Sequence, residues 1–531
     1  MAVSSGRLRR SPFARATLCL KDLNMNTRPA PIYLDKLLAR LELAGRSTVV
    51  RHQGSDLSGE ALRAMIFQYA RVLYDVGITR GKLVAMFAPN RPEAIAIRYA
   101  AHILGAGAVY LSVPPTEEQR QALLKQMAPD LLVVFPETIH YWHANAGVRL
   151  ATVGVDCAAS CGRLDVLASS ASDTRLDVMA WPEDLAVIIS SGGTTGVPKG
   201  SCRSFAAYTA MVSVPSPSDR RQLVNGHLAY LSQVLVDITL LGGGCVVLEG
   251  AFEAADTLAT IEAERITDLF LVEPQLFELM DHPDVCCRNL SSLRTLTHIG
   301  ASAPQTLRLR ARERLGPVIA HTYGASEMGI VSMLTPAEHD LSRPDLFTCA
   351  GRILPGVEVR FRLKDGSLGE PGDIGSIEVR SPAIASGYRN RPELEAANFK
   401  AGWYCSGDLG RLDSDGYLHI LGRAADASEV NGILVTPTLI QEVLCGLSSV
   451  RCAVVVIDNE ARVTIAAVSA WTGLSIGAET CRQAVAEHFG QETAASLVVV
   501  SLDRIPLTEQ GKPNRAAIKA LARSRSLVDA A

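Results

Sequence analysis

Apolar residues recur at helical spacing in Pro31–Leu43 (PIYLDKLLARLEL) and in Leu57–Gly77, so each segment predicts a helix with one buried stripe. Between further helices of this kind, Arg91–Gly107 and Thr116–Ala128, stand short runs apolar at nearly every position: KLVAMFA from Lys82 and GAVYLSV from Gly107. Strands buried on both faces read this way, and their alternation with helices is the pattern of parallel βαβ units. The segment from Leu185 to Tyr323 continues it, with LAVIIS, CVVLEG and DLFLVEP as strands and TLRLRARERLG as a helix. From about Leu354 the pattern shifts to short β runs punctuated by Gly and Asp-Gly turns, which predicts a β subdomain. Beyond Arg423 it returns to mixed character and closes on the helix candidate NRAAIKALARS. The expected fold class is α/β. A large N-terminal domain of α/β subdomains plus a β subdomain spans 26–422, a linker falls near 422–426, and a small α+β C-terminal domain spans 426–531.

Length supports the division, since 531 residues exceed what one core usually serves. A formal net charge of -3 gives no clustered positive surface for nucleic acid or anionic membrane. The most apolar region, Gln222–Gly250, is broken by His227, Gln233, Asp237 and a glycine triplet, so no membrane span is expected. Twelve cysteines without zinc-like or disulfide-framework spacing point to a reducing, cytoplasmic setting. Residues 1–25 are Arg-rich and Ser-containing without a secretory apolar stretch, and are expected to be a disordered extension or a misassigned start ahead of Met25.

One loop carries candidate chemistry. In SSGGTTGVPKG, Ser190–Gly200, an apolar strand runs into Gly192, Gly193 and Gly196, which tolerate the positive φ of an anion-binding nest of backbone N–H groups. Ser191, Thr194 and Thr195 add hydroxyls and Lys199 a charge, so a polyphosphate is the expected ligand. It is not a Walker loop, because Lys199 lies between Pro198 and Gly200 and no Ser or Thr follows it.

Three further blocks follow in order: HTYGASEMG (His321–Gly329), YCSGDLGRLDSDGYLHILGR (Tyr404–Arg423) and PLTEQGKPNRAAI (Pro506–Ile518). Together with the loop they resemble the adenylate-forming superfamily, which contains acyl- and aryl-CoA ligases, aryl-acid AMP ligases, peptide-synthetase adenylation domains and luciferases. The resemblance implies a mobile C-terminal domain and a two-step reaction. ATP and a carboxylic acid give an acyl-adenylate and pyrophosphate, and a thiol of CoA or of a carrier-protein phosphopantetheine then takes the acyl group. It also implies roles for individual residues. The loop and Lys199 cover the phosphates, Glu327 ligates Mg²⁺ beside Ser326, which stands where Thr is common, and Tyr323 with Gly324 meets adenine. Gly300, Ala301 and Ser302 line adenine and the acyl pocket, Asp408 and Arg423 hold the ribose side, and Lys512 bridges carboxylate and α-phosphate.

In the acyl pocket His227 matches a His of the dihydroxybenzoate-activating branch, but Leu228 replaces the Asn that holds a ring hydroxyl there. Asp237, only five residues before Gly242, is spaced too closely to serve an α-amine and is expected on a helix surface. The implied substrate is an aliphatic, cyclic or simple aromatic acid without a free α-amine. The hinge departs from the family: Ala425 holds the pivot position, Glu429 stands where Lys is frequent, and Leu439–Gln441 replace an acidic ending. These changes fall in the segment of the second half-reaction, which leaves the acceptor open. An ordinary fatty- or aryl-acid CoA ligase and a non-catalytic nucleotide or acyl binder remain alternatives.

Overall fold

The computed structural model describes residues 30–143, 147–191, 198–299, 303–508 and 511–529; the N-terminal extension, 1–25, lies outside them. The first sheet runs Gly387–Tyr388, Lys199–Ser204, Leu185–Ser191, Gly107–Tyr110, Leu83–Met86, Leu131–Val134, Leu150–Thr152 and Ser160–Arg163. Its inner strands are parallel and buried at every position in Leu83–Met86 and Gly107–Tyr110, hence their unbroken apolar runs. The second runs Arg352–Ile353, Gly329–Leu334, Ile319–Ala325, Thr295–Ile299, Asp268–Leu271, Arg221–Val224, Cys245–Leu248, Thr48–His52 and Ser55–Ser58. The stretch from Leu185 to Tyr323 therefore divides between two sheets, with Leu185–Ser191 and Lys199–Ser204 in the first and the later strands in the second.

Helices hold the two sheets together. Tyr33–Ala44 buries Leu34, Leu37 and Leu41, and Gly59–Asp75, capped by the Ser58 hydroxyl on the Ala61 amide at 3.2 Å, buries Leu62, Ile66 and Leu73. These stripes share one core with Val84 and Val187 of the first sheet and Val50 and Val246 of the second. Each such side chain contributes about 1.5–3 kcal/mol.

Asp237 departs from the expected helix surface. Its helix, Gln233–Gly242, is buried at every position from Gln233 to Leu241 and so has no outer face. Arg98 donates to both Asp237 oxygens, at 2.8 and 2.5 Å, Tyr208 donates at 2.5 Å, and Tyr99 donates as well. Pairing of this completeness is what a buried carboxylate requires.

The region from Leu354 forms the expected hairpins: Glu358–Arg362, Gly375–Arg380, Trp403–Leu412 and Phe399–Lys400, with Leu418–Arg423 against Trp403–Leu412. The chain leaves that sheet at Arg423, makes one turn over Ala424–Asp426 and enters the hairpin Ser428–Val430 and Ile433–Val435. A three-stranded sheet follows, Val450–Asp458, Val463–Ala470 and Leu497–Ser501, packed by the helices Pro437–Cys445, Ala478–Ala495 and Arg515–Asp529. This C-terminal block rests on the rest of the chain through Arg451 and Arg310, which both bind Asp281, at 2.8 and 2.9 Å, and through Trp471 stacked on the Arg310 guanidinium. Among the described residues no helix is long and apolar enough to cross a membrane.

Candidate active site

The glycine-rich loop joins two antiparallel strands, Leu185–Ser191 and Lys199–Ser204, with Ser191 opposite Lys199. This placement differs from a loop that opens a helix, because the chain enters a strand rather than a helix N-terminus at Lys199. Gly192, Gly193, Thr194, Thr195 and Gly196 lie outside the described residues, as does the side chain of Ser191. Lys199 is described, and its Nζ stands 5.6 Å from the ring centre of Tyr388.

Tyr388 leads to Glu327. Its hydroxyl donates to Oε1 of Glu327 at 2.9 Å, and the Ser326 hydroxyl donates to Oε2 at 3.0 Å. Glu327 is buried and, among the described residues, forms no direct ion pair with a lysine or arginine, although the buried Arg203 and the half-buried Lys512 both feel its charge. A carboxylate oriented by two hydroxyls and unpaired with a protein cation fits a hard divalent ion bound chiefly through substrate phosphates, as Mg²⁺ is. Nothing local in the sequence marks Tyr388. It arrives through pairing of Gly387–Tyr388 with Ser201–Cys202.

Glu327 and Tyr323 lie on or beside the hairpin Ile319–Ala325 and Gly329–Leu334. Gly324 permits that hairpin: a Cβ there would fall 2.3 Å from the Gly329 carbonyl oxygen and 3.0 Å from Cα of Ile330. Tyr323 donates from its hydroxyl to Oδ2 of Asp408 at 2.6 Å. Asp408 and Arg423 are cross-strand partners, with Nε 3.2 Å from Oδ1, and Arg423 also donates to the Ser406 carbonyl at 2.8 Å. Burial raises Asp408 above the ordinary carboxylate range, and Arg423 and the Tyr323 hydrogen bond oppose it.

Lys512 comes to this group from the C-terminal block. Its loop is closed by the Thr508 amide on the Lys512 carbonyl at 2.7 Å and the Gly511 amide on the Thr508 carbonyl at 2.9 Å. Gly511 has φ +76°, and a Cβ there would lie 2.8 Å from Cγ2 of Val272. Burial pushes the Lys512 ammonium below its usual range, Arg423 pushes it further, and Glu327 acts in the opposite direction. Two candidate residues, Arg423 almost a hundred and Glu327 almost two hundred positions before Lys512 in sequence, therefore share its electrostatic surroundings.

His227 lines a cavity of about 230 Å³ together with Asn225, Gly226, Phe87 and Tyr141, and burial lowers its pKa. Leu228 is fully buried in the adjoining hydrophobic core. Gly300, Ala301 and Ser302 lie outside the described residues. The structure thus gathers Lys199, Ser326, Glu327, Tyr323, Asp408, Arg423 and Lys512 around one region, and adds Tyr388, which the sequence reading missed.

Residues 40–389 match the AMP-binding enzyme family. The chain is 31% identical over 509 residues to the medium/long-chain-fatty-acid–CoA ligase FadD8 of Mycobacterium tuberculosis, covering 87% of this chain and 85% of that one. It is 30% identical over 431 residues to a feruloyl-CoA synthase of an Amycolatopsis species, covering 78% and 84%. Among solved structures, the amide bond synthetase McbA from Marinactinospora thermotolerans aligns with a TM-score of 0.81 at 31% identity, covering 92% of this chain and 99% of that chain.

Proposed function

Since this chain belongs to the AMP-binding enzyme family, we propose that it activates a carboxylic acid without a free α-amine and passes the acyl group to the thiol of CoA. It is an ATP-dependent acid–thiol ligase working through an acyl-adenylate. A carboxylate oxygen bonds to the α-phosphorus of ATP, the bond to the bridging oxygen breaks, and pyrophosphate departs. The thiol then adds to the acyl carbonyl, loses its proton, and AMP leaves with the bonding electrons. Such chemistry asks the protein mainly for positioning and charge neutralisation.

The observation that carries this reading is that Lys512, half-buried and brought from the C-terminal block, lies within the fields of both Arg423 and Glu327. In that position its ammonium would stabilise charge as it develops between carboxylate and α-phosphate. Asp408 and Arg423 would hold the ribose side, Tyr323 and Gly324 the base, and Lys199 with the loop the outer phosphates. Glu327, oriented by Tyr388 and Ser326, would hold Mg²⁺, which supplies neutralisation of phosphate charge. Residues 26–422 and 426–531 would be the two bodies that rearrange between the half-reactions.

An amine acceptor is the second reading. It is favoured by the altered hinge, with Ala425 at the pivot, and by the likeness to an amide bond synthetase over 92% of the chain. A carrier-protein phosphopantetheine is a further candidate thiol. Acid-dependent exchange of labelled pyrophosphate into ATP, across a panel of aliphatic and aromatic acids, tests the first half-reaction; silence across the panel would favour a non-catalytic binder. Mass spectrometry of products formed with CoA, holo-carrier proteins and simple amines then assigns the acceptor.

A further inference from the structure

The C-terminal block meets the rest of the chain across an interface that contains a buried carboxyl group without a cation. Glu273 begins the helix Glu273–Asp281 and is 3% exposed. Its Oε1 accepts from Nε2 of Gln441 at 3.2 Å, and Gln441 belongs to the helix Pro437–Cys445 across the interface. The neighbouring Glu442 accepts the backbone N–H of Gln305 at 2.7 Å, so a second carboxyl group faces the same interior. The nearby cations are engaged elsewhere. Arg451 and Arg310 bind Asp281 at the opposite end of the Glu273 helix, and Arg308 donates to the carbonyls of Ala303 and Cys349. The other titratable neighbours are the thiols of Cys445 and Cys452, which burial keeps protonated.

A lone carboxylate in such surroundings is strongly disfavoured, whereas the neutral acid can keep its hydrogen bond from Gln441. Burial, followed by the charge of Glu442, pushes Glu273 up to about 8. The start of this helix is also where the Lys512 loop rests. A Cβ on Gly511 would lie 2.8 Å from Val272 and 3.2 Å from Nε2 of Gln275, the residues flanking Glu273 and Pro274.

We propose that Glu273 is a positioning residue for Lys512, docking the C-terminal block as a neutral acid so that forming the adenylate-forming arrangement takes up one proton. The proton returns to solvent when the block leaves and Glu273 meets water. The inference rests on the role given to Lys512 above, but it concerns docking, which is measurable without substrate.

The direction follows from linkage. Undocked, Glu273 has an ordinary carboxylate pKa of about 4.3; docked, burial and Glu442 push it up to about 8. The docking advantage is full below the lower value, declines about tenfold per pH unit between the two, and is gone above the upper one. Lys512, held below its usual range, titrates in the opposite sense, so substitution isolates Glu273 where pH alone does not.

Hydrogen–deuterium exchange of the full-length protein from pH 6 to 9, on peptides 303–309 and 441–447, reads docking once corrected for the intrinsic exchange rate at each pH. Wild-type protection should fall about tenfold per unit up to about pH 8, while Glu273→Gln, which keeps shape and hydrogen bonding without titrating, should lose this slope. Profiles of equal slope in wild type and Glu273→Gln overturn the proposal. If Glu273→Gln does not fold, Glu442→Gln serves: with one charge removed the fall should level off at lower pH, and an unmoved profile overturns the proposal. Absence of acid-dependent pyrophosphate exchange would count against the enzymatic reading alone and leave these profiles unchanged.

Discussion

The Tyr323 hydroxyl and the Asp408 carboxylate are joined by a 2.6 Å hydrogen bond, while the other Asp408 oxygen pairs with Arg423 at 3.2 Å. The two side chains proposed for the base and the sugar of one nucleotide are thus fixed to each other. A carboxylate that accepts both ribose hydroxyls makes charge-assisted hydrogen bonds, each contributing about 1.5–3 kcal/mol. Asp408→Ala should therefore raise the KM for ATP in pyrophosphate exchange by about tenfold or more, with Tyr323→Phe having a smaller effect. An unchanged KM in Asp408→Ala would remove the ribose assignment.

Gly324 offers a test of the hairpin that carries this arrangement. A methyl group there would meet the Gly329 carbonyl oxygen at 2.3 Å, a backbone atom that cannot move without opening the strand pair. Gly324→Ala should lower both nucleotide binding and exchange rate. Far-UV circular dichroism should remain close to wild type, because the distortion is confined to one hairpin among many strands. Full activity would show that the hairpin yields at small cost.

Much of the individual elements was legible, and the reason is periodicity. Leu34, Leu37 and Leu41 announced a helix, and Leu83–Met86 announced a strand buried on both faces, because each pattern depends only on local geometry. Strand partners were not legible. Thr48–His52 lies beside Cys245–Leu248, nearly two hundred residues away, and nothing in either segment names the other. The same limit hid Tyr388, which reaches Glu327 only through pairing of distant strands. Asp237 was misread for a related reason: a charged residue in an apolar helix implies an outer face unless its partner is known, and Arg98 lies on another helix.

The Asp237 cluster carries a stability prediction of its own. Removing one member of a buried ion pair leaves the other charge uncompensated and costs about 3–5 kcal/mol, whereas replacing both with apolar residues costs far less. Asp237→Ala should lower the melting temperature markedly, and Arg98→Met combined with Asp237→Leu should recover part of the loss. Because Asp237 is sealed by Arg98, Tyr99 and Tyr208, the ranking of acids in the exchange assay should not change in any variant that folds. A changed ranking would show that Asp237 does influence the acyl pocket.

Lys512 supports the sharpest kinetic prediction. If its ammonium acts on charge that exists only in the transition state, Lys512→Ala should lower the single-turnover rate of adenylation by about 10²–10³-fold, the range typical of losing one preorganised donor. The KM for ATP should change little, and acyl transfer from added acyl-adenylate should persist. Loss of ground-state binding alone would instead raise KM at constant kcat, so the two roles separate in one experiment. The pH profile adds a check. The reaction requires the protonated amine, and burial with Arg423 moves its titration below the usual lysine range, with Glu327 opposing. Activity should consequently decline on the alkaline side before a free lysine titrates, at about 10.4, and Lys512→Arg, which stays charged, should retain whatever activity it has across that interval. An alkaline limb identical in wild type and Lys512→Arg would assign the titration to another group, such as Glu273.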